Sequence, residues 1–233
     1  GTGSITANGG GRGNGTAGGG GRIAIYCDYI ESGLNPNSQR NITAFGGHGY
    51  YDHRQASAGT VYIRYTGQTG GDLYIDNNVV DGSGNPSGTA AVPTSFPLIA
   101  FGVTADVTGG NTLTTDGKVG MLANSLEGLR INPDINQNES FVVSSNTAGT
   151  ITVVTPNEHG VAFGAVAAAG RTYAGVFTFD NLTFRRGGYL VMGDTLVVNS
   201  NLSLAEYGLL THYDANTSFV SMLDLRVGNL IIS

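Results

Sequence analysis

The chain has 233 residues, a formal net charge of -6 and a pI near 5.0; it carries 38 glycines, no tryptophan and only 12% charged residues. No basic stripe is available to neutralise phosphates, which excludes nucleic acid as a partner. The longest apolar stretch, residues 161–169, is short and broken by Gly164, which argues against membrane insertion.

Hydrophobic residues still make up 40% of the chain, in short runs that can form a core. Gly, Thr, Asn, Val and Ile favour strands and turns over helices. Cys27 stands alone, so no intrachain disulfide can form, and a buried inert thiol is expected there. Scarce cysteine and lysine with abundant glycine and threonine point to a secreted, extracellular or cell-surface protein. No signal peptide is visible, and the start at Gly1 rather than Met reads as a mature or excised piece.

Residues 1–90 write one phrase twice. Ser4-Ile5-Thr6-Ala7-Asn8-Gly9-Gly10 returns as Asn41-Ile42-Thr43-Ala44-Phe45-Gly46-Gly47, 37 residues on. Gly21-Arg22-Ile23-Ala24-Ile25-Tyr26 returns as Gly59-Thr60-Val61-Tyr62-Ile63-Arg64, 38 residues on. Self-similarity at a fixed period implies stacked units that bury their apolar faces against neighbours. Alternation places Ile23, Ile25, Val61 and Ile63 on one face, with Ala24, Tyr62 and Arg64 on the other. Asp72-Leu73-Tyr74-Ile75-Asp76 looks like a further rung. The glycine run from Gly9 to Gly21 suits extended strands bonded through their backbones, with a mobile linker as the alternative.

Residues 91–175 break the pattern, punctuated at entry by Pro93 and Pro97. The runs 129–133, 139–143 and 149–154 read as antiparallel strands, the last two joined by a turn at Asn146-Thr147-Ala148-Gly149. A small β-barrel or sandwich inserted into the stack is expected, with one weak helix near 161–169.

Residues 176–233 resume the stacking. Asn181-Leu182-Thr183-Phe184 recurs 20 residues later as Asn201-Leu202-Ser203-Leu204, close to one coil of a parallel β-helix. Asn181 over Asn201 would form a structural asparagine ladder, with Leu182 and Phe184 stacked on Leu202 and Leu204 at about 4.8 Å. The chain closes in another apolar strand, Asn229-Leu230-Ile231-Ile232. The predicted fold class is therefore all-β, a parallel β-helix or solenoid interrupted by a small β-barrel or sandwich.

These motifs resemble the glycine-rich β-solenoid repeats of very large secreted bacterial adhesin-type surface proteins. The resemblance rests on Gly3 to Gly10, Gly20 to Tyr26, Ala58 to Ile63 and Gly71 to Asn78, with Asn132-Pro133 and Thr150-Ile151-Thr152-Val153 in the middle stretch. It implies a surface-exposed, right-handed β-helix and carries over no catalytic residue.

Several clusters suggest chemistry. His48, Asp52 and His53 could bind zinc, but lack a third firm ligand beyond the carboxylate, so an aromatic, hydrogen-bonded loop tip is the better reading. Asp194 and Asp214 share the 20-residue offset; two carboxylates on adjacent coils raise one pKa or hold a cation, and calcium suits them with Asn199 or Asn216. Solvated turn carboxylates are the first reading of the pair, calcium the second, and an active site of a β-helix enzyme cutting acidic polysaccharide the third. Asp134 to Glu139 opens like a calcium loop but has Glu139 where that loop needs glycine. Asn14, Asn41, Asn138, Asn181, Asn201 and Asn216 begin glycosylation sequons.

The expected function is structural: an extracellular stalk or adhesin segment, or a filament subunit, with no enzymatic activity and no cofactor unless calcium. Ile5 at one end and Leu230, Ile231 and Ile232 at the other would mediate end-to-end self-association or joining to flanking repeats. The alternatives are a β-helix polysaccharide lyase or hydrolase, and a module binding surface carbohydrate through exposed tyrosines.

Overall fold

The computed structural model describes residues 3–11, 17–30, 41–48, 55–81, 83–85, 87–90, 92–214 and 221–233. Strands β1 (Ile5–Thr6), β2 (Arg22–Cys27), β3 (Ile42–Thr43), β4 (Thr60–Tyr65) and β5 (Asp72–Asp76) come first. Then follow β6 (Thr94–Ser95), β7 (Gly102–Val103), β8 (Asp106–Thr108), β9 (Thr112–Thr114), β10 (Arg130–Asn132), β11 (Phe141–Asn146) and β12 (Thr150–Val153). A single turn of helix, α1 (Phe163–Val166), precedes β13 (Thr172–Arg185), β14 (Tyr189–Met192), β15 (Thr195–Leu204), β16 (Leu209–His212) and β17 (Leu225–Ile232). The chain is all-β, 43% strand and 2% helical.

The 37- and 38-residue repeats stack on each other. Ile5 pairs with Ile42 across the parallel β1–β3 pair, and Ile23 and Ile25 pair with Val61 and Ile63 across parallel β2–β4. Ile42, Ala44, Val61 and Ile63 bury together, with Ile23 and Ile25 packed on them. The described glycines are ordered and bonded through backbone: Gly9 N–H donates to Phe45 C=O at 2.8 Å and Gly47 N–H to Gly18 C=O at 2.9 Å. Glycine is demanded by close approach, since a Cβ on Gly59 would lie 1.8 Å from the Gly21 carbonyl oxygen.

The sheets are mixed, which corrects the expectation of a parallel solenoid running through the chain. The first cause is the β4–β5 connection. Gly67 and Gly71 take φ of +90° and +70°, and Gln68 N–H closes the turn on Tyr65 C=O at 3.0 Å. Parallel strands need a crossover of a dozen residues or more, so this tight turn forces β5 antiparallel to β4. The second cause is the middle stretch, where the strands lie antiparallel in the order β10–β11–β12–β9–β8. Short hairpins, such as Thr147 N–H to Thr150 C=O at 3.0 Å, impose that direction. Its core gathers Leu113, Ile131, Phe141, Ile151 and Phe163, with Phe141 and Phe163 edge to face at 5.1 Å.

Strand β13 ties the two arrangements together, and the boundary drawn at 175/176 falls inside it. Its first half pairs antiparallel with β10; its second half pairs parallel with β5, and β15 runs parallel along most of its length. Beyond that point β5, β13, β15 and β17 form a parallel, in-register row. A second parallel sheet, β6–β14–β16, lies apart from it. Leu73, Ile75, Leu182, Phe184, Leu190, Met192, Leu196, Val198 and Leu202 fill one shared core. Each fully buried side chain of this size stabilises by about 1.5–3 kcal/mol.

Candidate functional site

The most organised polar feature is a ladder across the parallel row. In register, Asp72 lies beside Asn181, Asn181 beside Asn201, and Asn201 beside Asn229. Asn181 Nδ2 donates to Asp72 Oδ1 at 2.8 Å, Asn201 Nδ2 to Asn181 Oδ1 at 3.0 Å, and Asn229 Nδ2 to Asn201 Oδ1 at 3.3 Å. Asp72 sets the direction: an ionised carboxylate only accepts, so Asn181 must turn its amide nitrogen toward it, and each later rung follows. Gln68 Nε2 also donates to Asp72 Oδ1, at 3.1 Å.

The sequence period singles out Asn181 and Asn201, and the structure brings these two together. Asp72 and Asn229 extend the ladder unannounced, because their spacings depart from 20 residues. The signal they share with the other rungs is the pattern polar–apolar–x–apolar. Replacing Asn201 by Leu should cost about 1–3 kcal/mol, since it leaves the amides above and below unpaired. An unchanged denaturation midpoint would strip the ladder of its energetic role.

Beneath the ladder the apolar stack changes character at its last rung. Leu73, Leu182 and Leu202 are buried, whereas Leu230 in the same row is 52% exposed. Ile231 and Ile232 are 46% and 73% exposed, and β17 pairs only with β15 among the described strands. Ile5, at the other end of the chain, is also exposed, but its strand is paired to β3 rather than aligned with β17.

The two members of the expected calcium pair, Asp194 and Asp214, stand in different surroundings, and Asn216 lies outside the described residues. The Asp194 carboxylate is turned inward, 1% exposed, and accepts Gly175 N–H at 2.8 Å through Oδ1 and Ile99 N–H at 2.9 Å through Oδ2. Burial pushes its pKa up to about 6, against the opposing pull of those amide donors. Asp214 is exposed. A carboxylate whose two oxygens are engaged with backbone amides is a fastener between chain segments, here residues 99, 175 and 194. Among the described residues no group of three or more His, Cys, Asp or Glu side chains could hold a metal ion.

The other clusters resolve as local structure. Asp134 Oδ1 accepts the Asn136 N–H at 3.1 Å and Oδ2 pairs with Arg171 at 2.9 Å, a turn anchored by an ion pair. His48 faces Gln55 Nε2 at 3.0 Å through Nδ1, while Asp52 and His53 lie outside the described residues. Glu139 meets His159 Nδ1 at 3.0 Å and Asn157 Nδ2 at 2.7 Å. His159 is exposed, so this pair is a weak surface clamp. Tyr26, 70% exposed, stands over an open groove of about 400 Å³ bordered by Arg64, Tyr65 and Gln68.

No protein-family model, curated protein or solved structure matches the chain. Function therefore rests on geometry alone. That geometry offers a polar ladder of fixed direction, a stacked apolar core and an apolar edge strand.

Proposed function

We propose that the chain is a structural segment of an extracellular surface protein, a stalk or adhesin segment or a filament subunit, joined to its neighbour through an edge strand. One observation carries the reading: the in-register parallel row β5–β13–β15–β17, whose ladder and apolar stack arrive at β17 with that strand's outer residues exposed. A β-solenoid is the reading of this row together with the β6–β14–β16 sheet, and it agrees with the resemblance to adhesin-type repeats. Repeated rungs transmit order along one axis, which suits a spacer.

Sedimentation and electron microscopy of the purified chain test this. Concentration-dependent long particles that vanish on deletion of residues 229–233 would make it a filament subunit; a monomer at every concentration would make it a stalk segment. Depolymerisation of an acidic polysaccharide by the chain would overturn both. A second reading has one observation behind it, the exposed Tyr26 beside its groove. Saturable glycan binding lost in Tyr26→Ala would add surface carbohydrate as a partner.

A further inference from the structure

We infer that the edge of β17 is built to receive one kind of partner: a parallel strand of the type Asn–apolar–polar–apolar, with its asparagine in register with Asn229. The inference rests on the structural reading above and names the partner of its edge strand.

Three observations converge on it. The first is the direction of the ladder. Every asparagine donates Nδ2 toward β5 and offers Oδ1 away from it. Asp72, an acceptor with nothing to donate, is a suitable foot for such a ladder. Asn229 Oδ1 points onward and takes no hydrogen bond among the described residues. Asn229 is exposed, so water satisfies this oxygen in the chain alone; a strand added at the edge displaces that water and must supply a side-chain amide donor in its place.

The second is the apolar register. Leu230 continues the row Leu73–Leu182–Leu202, and Ile232 continues Ile75–Phe184–Leu204. Leu73, Ile75, Leu182, Phe184 and Leu202 are buried, whereas Leu230 and Ile232 stand in solvent. A strand with apolar side chains one and three positions after its asparagine covers both.

The third excludes the obvious competitor. The opposite edge of the same twelve-stranded sheet is β2, which a second copy would present in head-to-tail stacking. Strand β2 runs parallel to β4, and β4 runs antiparallel to β5, so β2 opposes the direction of β17. Its sequence, Arg22–Cys27, contains no asparagine. Arg22 could offer a donor in place of the amide, but the direction does not match, so the partner is a further rung of the β15 type rather than the β2 edge of another copy.

The test uses the full chain and three synthetic peptides. One has the sequence of residues 195–205, one is the same peptide with its Asn201→Asp, and one has the sequence of residues 22–27. Backbone amide exchange and chemical shifts of β17 report binding, and a spin label on the peptide N-terminus reports direction. The first peptide should bind with its N-terminus beside Leu225, as β15 does. The Asn201→Asp peptide should bind about tenfold more weakly, because it sets an acceptor against an acceptor. Asn229→Leu in the chain should weaken the first peptide similarly; the peptide-side substitution keeps the test valid if that variant frays. Absence of binding, equal affinity for the Asp peptide, antiparallel docking, or equal affinity for the 22–27 peptide would each overturn the inference. Long particles that form and vanish on deletion of residues 229–233 alongside any of these results would leave the structural function standing and remove only the ladder rule.

Discussion

Replacing Arg186 by Met should destabilise the chain by about 3–5 kcal/mol, the usual cost of orphaning one member of a buried ion pair. The Arg186 side chain is 2% exposed. Its Nε contacts Asp76 Oδ1 at 2.9 Å and Oδ2 at 3.1 Å, Nη2 also reaches Asp76 Oδ2, and Nη1 donates to Asn78 Oδ1 at 3.0 Å. The guanidinium carbon lies 5.2 Å from the centre of the Phe45 ring. One side chain thus fastens the end of β13 to the end of β5 and to the glycine-rich repeats. Arg186 holds φ at +43°, so a bulky replacement keeps the backbone strain while losing the contacts that offset it. Equilibrium denaturation of Arg186→Met, Asp76→Leu and the double variant measures the coupling. The double variant should cost clearly less than the two singles added together, because removing both charges leaves neither stranded. Additive losses would mean that Arg186 and Asp76 stabilise the chain independently of each other.

The second large effect concerns Asp194 and pH. Its folded pKa is pushed up to about 6 by burial, above the unfolded value near 3.9. The folded state therefore binds the proton more tightly than the unfolded one. The stability this provides is fully present below about pH 4, declines as pH rises toward 6, and is gone above that. A shift of about two units corresponds to about 3 kcal/mol between those limits. Measured as the difference between the chain and Asp194→Asn, the advantage of aspartate should shrink across pH 4–6, the rest of the titration cancelling. Asp194→Ala adds a loss that does not depend on pH, about 1–3 kcal/mol for each buried N–H of Ile99 and Gly175 left without an acceptor. A difference curve flat from pH 4 to 7 would show that the carboxylate keeps an ordinary pKa. In that event water reaches it.

What could be read from the chain in advance follows from stacking. Residues that occupy equivalent rungs meet the same environment, so they are written alike, and the likeness is visible. This is why Ile5 with Ile42, Ile23 with Val61, and Asn181 with Asn201 are legible as pairs, and why the hairpin at 146–149 is legible from its turn residues. The two members of the expected calcium pair differ for an instructive reason. A shared offset of 20 residues between Asp194 and Asp214 speaks of similar positions along the chain, but one carboxyl turned into the core and the other into solvent.

By itself, then, the sequence determined the all-β class, the stacked repeats and the apolar face of each rung, because periodicity records local environment directly. Only the tertiary structure decided three further things. It set the reversal of β5 against β4, which the positive φ angles of Gly67 and Gly71 impose through a tight turn. It brought Asp72 under Asn181 across 109 residues, and Arg186 onto Asp76 across 110. It also gave Asp194 its partners, the amides of Ile99 and Gly175. Almost every residue carries a backbone N–H, so no side-chain pattern can announce which ones a buried carboxylate will meet.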